Sequence, residues 1–157
     1  MSLQNLNQFK QGQAVGTLDL STNANPNAMT CRFRYDDASA DLLLPGEGVQ
    51  LADLGVNDFQ GPPVVDERTD NTADSIFGIK IYTTKKNSNA VGDIVQVALP
   101  GAVVNMNSGA AIARGAAVEL VLATPGNVIT KSAGIKVGIA LDKATSGDQP
   151  IRVLIEK

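Results

Sequence analysis

The chain has 157 residues, of which 43% are hydrophobic and 18% charged, and 13 Lys and Arg against 16 Asp and Glu give a formal net charge of −3. A chain of this length can bury one substantial core. Its negative charge creates no field that would draw it to nucleic acid phosphates or anionic lipid. We therefore expect neither nucleic acid nor a membrane as a partner.

The inventory of side chains also narrows the possible chemistry. There is no His and only one Cys, Cys31, which excludes imidazole triads, thiolate zinc sites and an internal disulfide. No leader for secretion stands at the first residues, and no apolar run approaches the ~20 residues that span a bilayer. We predict no catalytic residue, no metal ligand and no cofactor, and we expect synthesis in a reducing cytoplasm.

Residues 1–13 are rich in Asn and Gln, with Lys10 as the only charged side chain. Such a polar N-terminal segment is often frayed in solution. It could also become ordered against a neighbouring subunit, with Leu3, Leu6 and Phe9 as apolar anchors three residues apart. Both interpretations remain open, and we predict an extended N-terminal arm over 1–13 followed by one domain over 14–157.

Short strands with turns between them are predicted for the first half of that domain. A strand over 14–20 precedes a loop at 21–27, and Met29, Cys31, Phe33 and Tyr35 then alternate with polar residues. This period of two indicates a strand with one buried face, on which Cys31 points inward. Further strands are predicted at 42–44, at 48–52 and around Phe77, Ile79 and Ile81.

Two segments between these strands are interpreted as loops. Residues 54–63 contain two Gly and two Pro, which break regular structure and place Phe59 near a tip. Residues 64–74 join a short apolar pair to a charged run, which is typical of a solvated loop or an edge.

The second half repeats one pattern, in which Gly supplies a turn and a β-branched strand follows. Strands are expected after Gly92, after Gly115 and after Gly147, with others near Val103, Val128 and Val137, and Pro125-Gly126-Asn127 indicates a turn. The units are too short and unevenly spaced for a solenoid. About ten short strands without a long amphipathic helix predict an all-β fold, a single-domain β-sandwich or distorted β-barrel.

Two enzyme-like patterns remain as alternatives. Asp66, Glu67, Asp70 and Asp74 cluster in sequence, as a glycosidase carboxylate pair or a calcium loop would require. The aromatic platforms are few, and the spacing departs from the calcium-loop pattern because Arg68 stands where an oxygen ligand should be. A solvated charged loop is the favoured interpretation of the cluster.

The second pattern is Asp142-Lys143-Ala144, the tripeptide that carries the modified lysine in lipoyl carrier domains. Three residues recur often by chance, and the flanking acidic residue of that family is absent. Extra mass on Lys143 would support this alternative.

The order of several motifs resembles that of tailed-phage capsid cement, or head decoration, proteins. The matching pieces are Leu44-Pro45-Gly46-Glu47-Gly48-Val49, Ala73-Asp74-Ser75-Ile76-Phe77-Gly78-Ile79, Ala111-Ile112-Ala113-Arg114-Gly115 and the strands up to Ile155. The resemblance implies a β protein without enzymatic activity that binds the outside of an assembled capsid, with the major capsid protein as its partner. It also implies a homo-oligomer, dimer or trimer, and a location in the virion after synthesis in the host cytoplasm.

Two surfaces are candidates for contact with a capsid or a sister subunit. The first is the arm with Leu3, Leu6 and Phe9, because an extended segment can add a strand to a neighbouring sheet. The second is the 54–63 loop with Phe59, which could equally be an ordinary surface loop. The alternative function is another β-structured interaction module, such as a tail-fibre, adhesin or carbohydrate-binding domain, although few aromatic residues are present for stacking on sugars.

Overall fold

The computed structural model describes residues 15–18, 27–33, 42–52, 62–68, 76–82, 89–90 and 93–156. These residues form twelve short strands and no helix, which confirms the all-β prediction. The strands are β1 (Ala28–Phe33), β2 (Leu42–Leu43), β3 (Gly48–Leu51), β4 (Val64–Glu67), β5 (Gly78–Lys80), β6 (Asn89–Ala90), β7 (Ile94–Ala98), β8 (Val103–Ser108), β9 (Ala117–Leu120), β10 (Asn127–Thr130), β11 (Gly138–Ala140) and β12 (Pro150–Ile155).

Ten of these strands close into two five-stranded barrels. The first barrel has the order β1-β4-β3-β5-β7, and the second barrel has the order β10-β8-β12-β11-β9. Strands β2 and β6 form a separate antiparallel pair. Closure leaves no long unpaired sheet edge in either barrel, which removes the usual site of edge-to-edge aggregation.

The two barrels have the same topology. When the five strands of each barrel are counted in chain order, the first strand is parallel to the third and antiparallel to the fifth. The second strand pairs with the third and the fourth, and the fourth strand pairs with the fifth. Strands β1, β3, β4, β5 and β7 of the first barrel therefore correspond to β8, β9, β10, β11 and β12 of the second.

The correspondence extends to single residues. Val49 is paired with Gly78 in the first barrel as Val118 is with Gly138 in the second. Loop hydrogen bonds repeat as well, because the Ile81 N–H donates to the Gln96 carbonyl at 2.9 Å and the Leu141 N–H to the Arg152 carbonyl at 2.8 Å. The described residues between 27 and 99 thus form one copy of a structural unit, and residues 102–155 form a second, tandem copy.

Each barrel has an aliphatic core. The first core contains Cys31, Phe33, Leu43, Val49, Val65, Val95 and Val97. The second core includes Val104, Met106, Val118, Leu120, Val128, Ile151 and Val153, and it also takes in Ile79, Ile81 and Ala98 from the first barrel. The outer surface of β5 and β7 is therefore continuous with the core of the neighbouring barrel.

Strand β1 follows its predicted alternation at Cys31 and Phe33, which are both buried. Burial raises the pKa of the Cys31 thiol to about 11, so the side chain stays a neutral core group. Met29, expected on the same buried face, is 36% exposed instead.

The interpretation of 64–74 as a solvated loop or edge is wrong for its first five residues. Strand β4 is paired on both sides, with β1 and with β3, and Arg68 directly after it is buried. The charged residues predicted exposure, but a long charged side chain can also cover apolar surface with its carbon stem. The stem of Arg68 does so against Gly48, where its Cδ would lie 3.6 Å from a Cβ built at that glycine.

The counterpart residues differ most at Lys80, which stands where the second barrel has Ala140. Lys80 is paired with Val97, a member of the first core, as Ala140 is with Val153. Residues directly opposite in an antiparallel pair share one face, so Lys80 is directed into the first barrel. The side chain is fully buried, and desolvation lowers its pKa to about 8 even though the charge of Glu47 acts in the opposite direction.

Replacing Lys80 with Met should change how stability depends on pH. Between pH 8 and about 10.5 the unfolded wild-type chain binds a proton that the folded chain has released, so its free energy of unfolding rises with pH, by up to about 3 kcal/mol. Lys80→Met lacks this rise. Its stability relative to the wild type should therefore fall by that amount across this range, as measured by urea denaturation at a series of pH values.

The matched control for this experiment is Lys143→Met, which makes the same substitution at an exposed lysine in a loop of the second barrel. The titration of Cys31 is common to all three chains and cancels in the differences. A difference between Lys80→Met and wild type that stays constant from pH 8 to 10.5 would contradict the prediction.

Candidate functional site at the junction of the two barrels

The two barrels meet where two Pro-Gly turns touch, at Pro45-Gly46 and Pro125-Gly126. We call this contact the junction. Both glycines have positive φ, +88° for Gly46 and +81° for Gly126, which side chains other than Gly rarely adopt. A Cβ built on Gly46 would lie 2.5 Å from the Cα of Gly126, so the approach leaves no room for a side chain.

Residues 15–18 complete the junction and hydrogen-bond to both barrels. A Cβ built on Gly126 would collide with Cγ1 of Val15. The Gly16 N–H donates to the Asn105 carbonyl at 2.7 Å in the second barrel, and its carbonyl accepts the Tyr82 N–H at 2.8 Å beside the first. The Asn105 side chain adds a hydrogen bond from Nδ2 to Thr17 Oγ1 at 3.0 Å. The segment that follows the predicted arm is therefore tied across the two barrels.

A cavity of about 350 Å³ opens beside the junction. On the first barrel it is lined by Glu47, Glu67 and Arg68, and on the second by the apolar end of β9 and the turn that follows it. Glu47 stabilises its own turn, because its Oε2 accepts the Leu44 N–H at 2.6 Å. Two carboxylates and one guanidinium therefore lie around the cavity.

Two acidic groups of the second barrel hold its loops in place, one of them buried and one partly exposed. Glu119 is buried, and its carboxylate accepts the backbone N–H groups of Ser132 at 2.9 Å and of Gly134 at 2.7 Å. Asp142 binds the Arg152 guanidinium through both oxygens, at 2.8 and 2.7 Å, and this hydrogen bonding lowers the pKa of the Asp142 carboxyl. These carboxylates are engaged in structure rather than arranged around an open site.

The tripeptide Asp142-Lys143-Ala144 has a structural explanation at two of its three residues. Ala144 exchanges two backbone hydrogen bonds of 2.9 Å with Ile112, and Asp142 holds Arg152. Lys143 lies between them with an exposed side chain. Its counterpart region in the first barrel is the pairing of Leu43 with Asn89, which carries no lysine.

The residues predicted to contact a capsid lie outside the part of the chain that the structure describes. This applies to Leu3, Leu6 and Phe9 in the arm and to Phe59 in the 54–63 loop. Of the carboxylate cluster, Asp70 and Asp74 are also outside it, and Asp66 accepts the N–H of Glu67 at 2.9 Å. Within the described ranges there is no group of three or more potential metal ligands. Those ranges also hold no helix long and apolar enough to cross a bilayer.

The structure identifies surface features that the sequence analysis did not single out. Large hydrophobic residues are exposed at several points of the first repeat. They are Met29, Leu42, Leu51, Tyr82 and Ile94. Leu51 and Ile94 were hidden from sequence reasoning because each sits in a β-branched or aliphatic strand, where burial is the default expectation.

Comparison with known proteins identifies the family of this chain. The family model described as phage cement protein matches residues 45–155, which include the whole second barrel and every strand of the first barrel except β1. The chain therefore belongs to the phage cement protein family, a family of structural proteins of the phage capsid. This confirms the resemblance found in the sequence.

A solved structure is also similar to this chain. It is the crystal structure of the head fiber gp8.5 N base in bacteriophage phi29, with 16% sequence identity, a TM-score of 0.47, and coverage of 82% of this chain and 92% of that chain. No curated protein matches the sequence.

Substituting Gly46 with Ala should destabilise the fold by about 3 kcal/mol or more. The positive φ costs about 1–2 kcal/mol for any other L-residue, and the added methyl group must push Gly126 away, which costs about 1–3 kcal/mol. Urea denaturation of the full chain measures the loss.

Gly101→Ala is the matched control for this substitution. Gly101 has φ +96° but nothing within 4 Å of a built Cβ, so only the backbone cost of about 1–2 kcal/mol applies. Equal losses in the two variants would show that the contact with Gly126 adds nothing to the cost of the substitution, and would contradict the prediction.

Proposed function

We propose that this protein binds the outer surface of the assembled phage capsid and stabilises it by adhesion, without catalysing a reaction. The observation that carries the proposal is the match to the phage cement protein family over residues 45–155. The absence of His from the chain and the structural use of Glu119, Asp142 and Arg152 support it.

The physical basis of such stabilisation is linkage. A molecule that binds only the expanded shell lowers the free energy of that state by RT ln(1 + [L]/Kd), where [L] is its free concentration. Contacts made by several linked copies strengthen the effect without new chemistry. We therefore propose that the protein acts as a small homo-oligomer, with the major capsid protein as its partner, after synthesis in the host cytoplasm.

The design of the two barrels suits this role. Each is closed, each has an aliphatic core, and the junction joins them through backbone contact rather than a long linker. A stiff body retains more of its contact energy on binding, because less conformational freedom is lost. We assign the capsid contact first to the arm with Leu3, Leu6 and Phe9, and second to the loop with Phe59.

The proposal predicts selective binding to expanded capsids. The purified protein should co-sediment with expanded capsids in preference to unexpanded procapsids, and it should raise the temperature at which expanded capsids release their DNA. Binding to expanded capsids no tighter than that of an unrelated β protein would overturn the proposal.

Variants separate the contact residues from the function itself. Changing Leu3, Leu6 and Phe9 together to Ser should weaken capsid binding about tenfold or more if they are interface anchors. The control is Leu42→Ser, which removes an exposed leucine of the pair β2 and β6 and should bind normally. Normal binding by the triple variant would refute the assignment of the arm and leave capsid binding itself in place.

A further inference from the structure

The contact between the two barrels of one chain is asymmetric. The first barrel contributes a corner, the turn at Gly46–Gly48, together with a side face made by Ile79, Ile81 and Ala98. The second barrel contributes an end, where Leu120 closes β9. The Cδ1 atom of Leu120 would lie 2.5 Å from a Cβ built on Gly48, so this leucine rests directly on the corner.

Because the barrels are copies of one unit, the first barrel also has an end like that of the second barrel. The second barrel likewise has a corner and a side face like those of the first barrel. The end of the first barrel is marked by Leu51, the counterpart of Leu120, since they are paired with Val65 and Val128 respectively. The counterpart of Gly46 is Gly115, whose N–H donates to Ala140 as that of Gly46 does to Lys80, both at 2.8 Å. These surfaces face outward from the two-barrel chain.

Exposure shows that these surfaces are uncovered. Leu51 is 56% exposed, whereas Leu120 is only 4% exposed. A Cβ on Gly115 would meet nothing within 4 Å, whereas one on Gly46 meets Gly126.

The side face follows the same rule. Ile79, Ile81 and Ala98 are buried in the contact within the chain. Their counterparts on the second barrel are Ile139, Leu141 and Leu154, which are apolar but only partly buried.

We propose that the exposed end of the first barrel, at Leu51, docks on the corner and side face of the second barrel of another copy of this chain. The contact would repeat between chains the one already made within each chain. One residue differs, because Ala117 replaces Gly48 at the corner, so Leu51 would rest on a methyl group rather than on bare backbone. This inference specifies the interface of the oligomer proposed above, but it can be tested without capsids.

Such an interface is heterologous, since a different surface of each chain takes part. Heterologous contacts generate closed rings when the rotation between units divides a full turn. With two barrels per chain, a dimer would place four barrels in the ring and a trimer six. Every barrel would then have the same kind of neighbour on both sides.

Native mass spectrometry of the full chain tests the proposal. The wild type should be a closed oligomer of one size. Leu51→Glu should raise the dissociation constant about thirtyfold or more, because it places a charge at the centre of the contact. Leu154→Glu should do the same from the other side of the interface. The matched control is Ile94→Glu, since neither Ile94 nor its counterpart Pro150 is covered in the contact within the chain.

Mixing the two damaged chains identifies the type of interface. Leu51→Glu retains an intact second-barrel face, and Leu154→Glu retains an intact first-barrel end, so an equal mixture should form heterodimers joined by one contact. A self-complementary interface would give no such rescue. A monomeric wild type, dissociation by Ile94→Glu as strong as by Leu51→Glu, or failure of the mixture to associate would each overturn the proposal.

A cross-linking experiment covers the case in which Leu154→Glu does not fold. A chain with both Leu51→Cys and Ala117→Cys should form disulfide-linked oligomers on oxidation, while each single variant should not, because the native Cys31 is buried. The absence of linked species from the double variant, under conditions where it remains folded by circular dichroism, would also overturn the proposal.

Discussion

The close approach of two glycine turns determines how the halves of this chain fit together. At Gly46 and Gly126 backbone meets backbone, and no side chain other than hydrogen could occupy either position without moving the barrels apart. The neighbouring contacts depend on this spacing. They include the seat of Leu120 on Gly48, the burial of Ile79 against the second core, and the hydrogen bonds that tie residues 15–18 to both barrels. A continuous core then joins two closed sheets that would otherwise be independent.

The two repeats share one backbone topology but differ in the residues that occupy several equivalent positions. Lys80 and Glu47 of the first repeat stand where the second has Ala140 and Ala116, and the first repeat contains the most exposed large hydrophobic residues of the described ranges. The second barrel has the apolar Ala140 in its core, whereas the first barrel has the buried Lys80 at the equivalent position. The charge of Glu47 acts on the buried Lys80 and opposes the lowering of its pKa by desolvation, so the two residues of the first repeat differ together from their counterparts.

Much of the local structure could be predicted from the sequence, but the duplication of one barrel topology could not. Alternation around Cys31 and Phe33 located β1, and the turn residues at Pro45-Gly46 and Pro125-Gly126 located the ends of strands. The duplication could not be predicted by a fixed period, because the spacing between counterparts shrinks along the chain, from Cys31 and Met106 to Val97 and Val153. Strand β5 shows a second limit of periodicity. Both of its faces are buried, one in each core. The alternation of Ile79 and Ile81 with Lys80 predicted the strand. It did not predict that Lys80, rather than the two isoleucines, lies inside the first barrel. The contact residues proposed in the arm and the 54–63 loop stay predictions, since they fall outside the described residues.

Two copies of one topology on a single chain also create a hazard during folding. A strand of one repeat has the length and hydrogen-bonding pattern to pair in the place of its counterpart in the other, and tandem domains of like fold misassemble through such exchanges. The divergence between the repeats opposes this error. A β5 segment inserted in place of β11 would bring the ammonium group of Lys80 into a core shaped for the methyl group of Ala140, and the wrong register would be rejected by the cost of dehydrating a charge. Lys80 would in this way disfavour the exchange of strands between the two repeats.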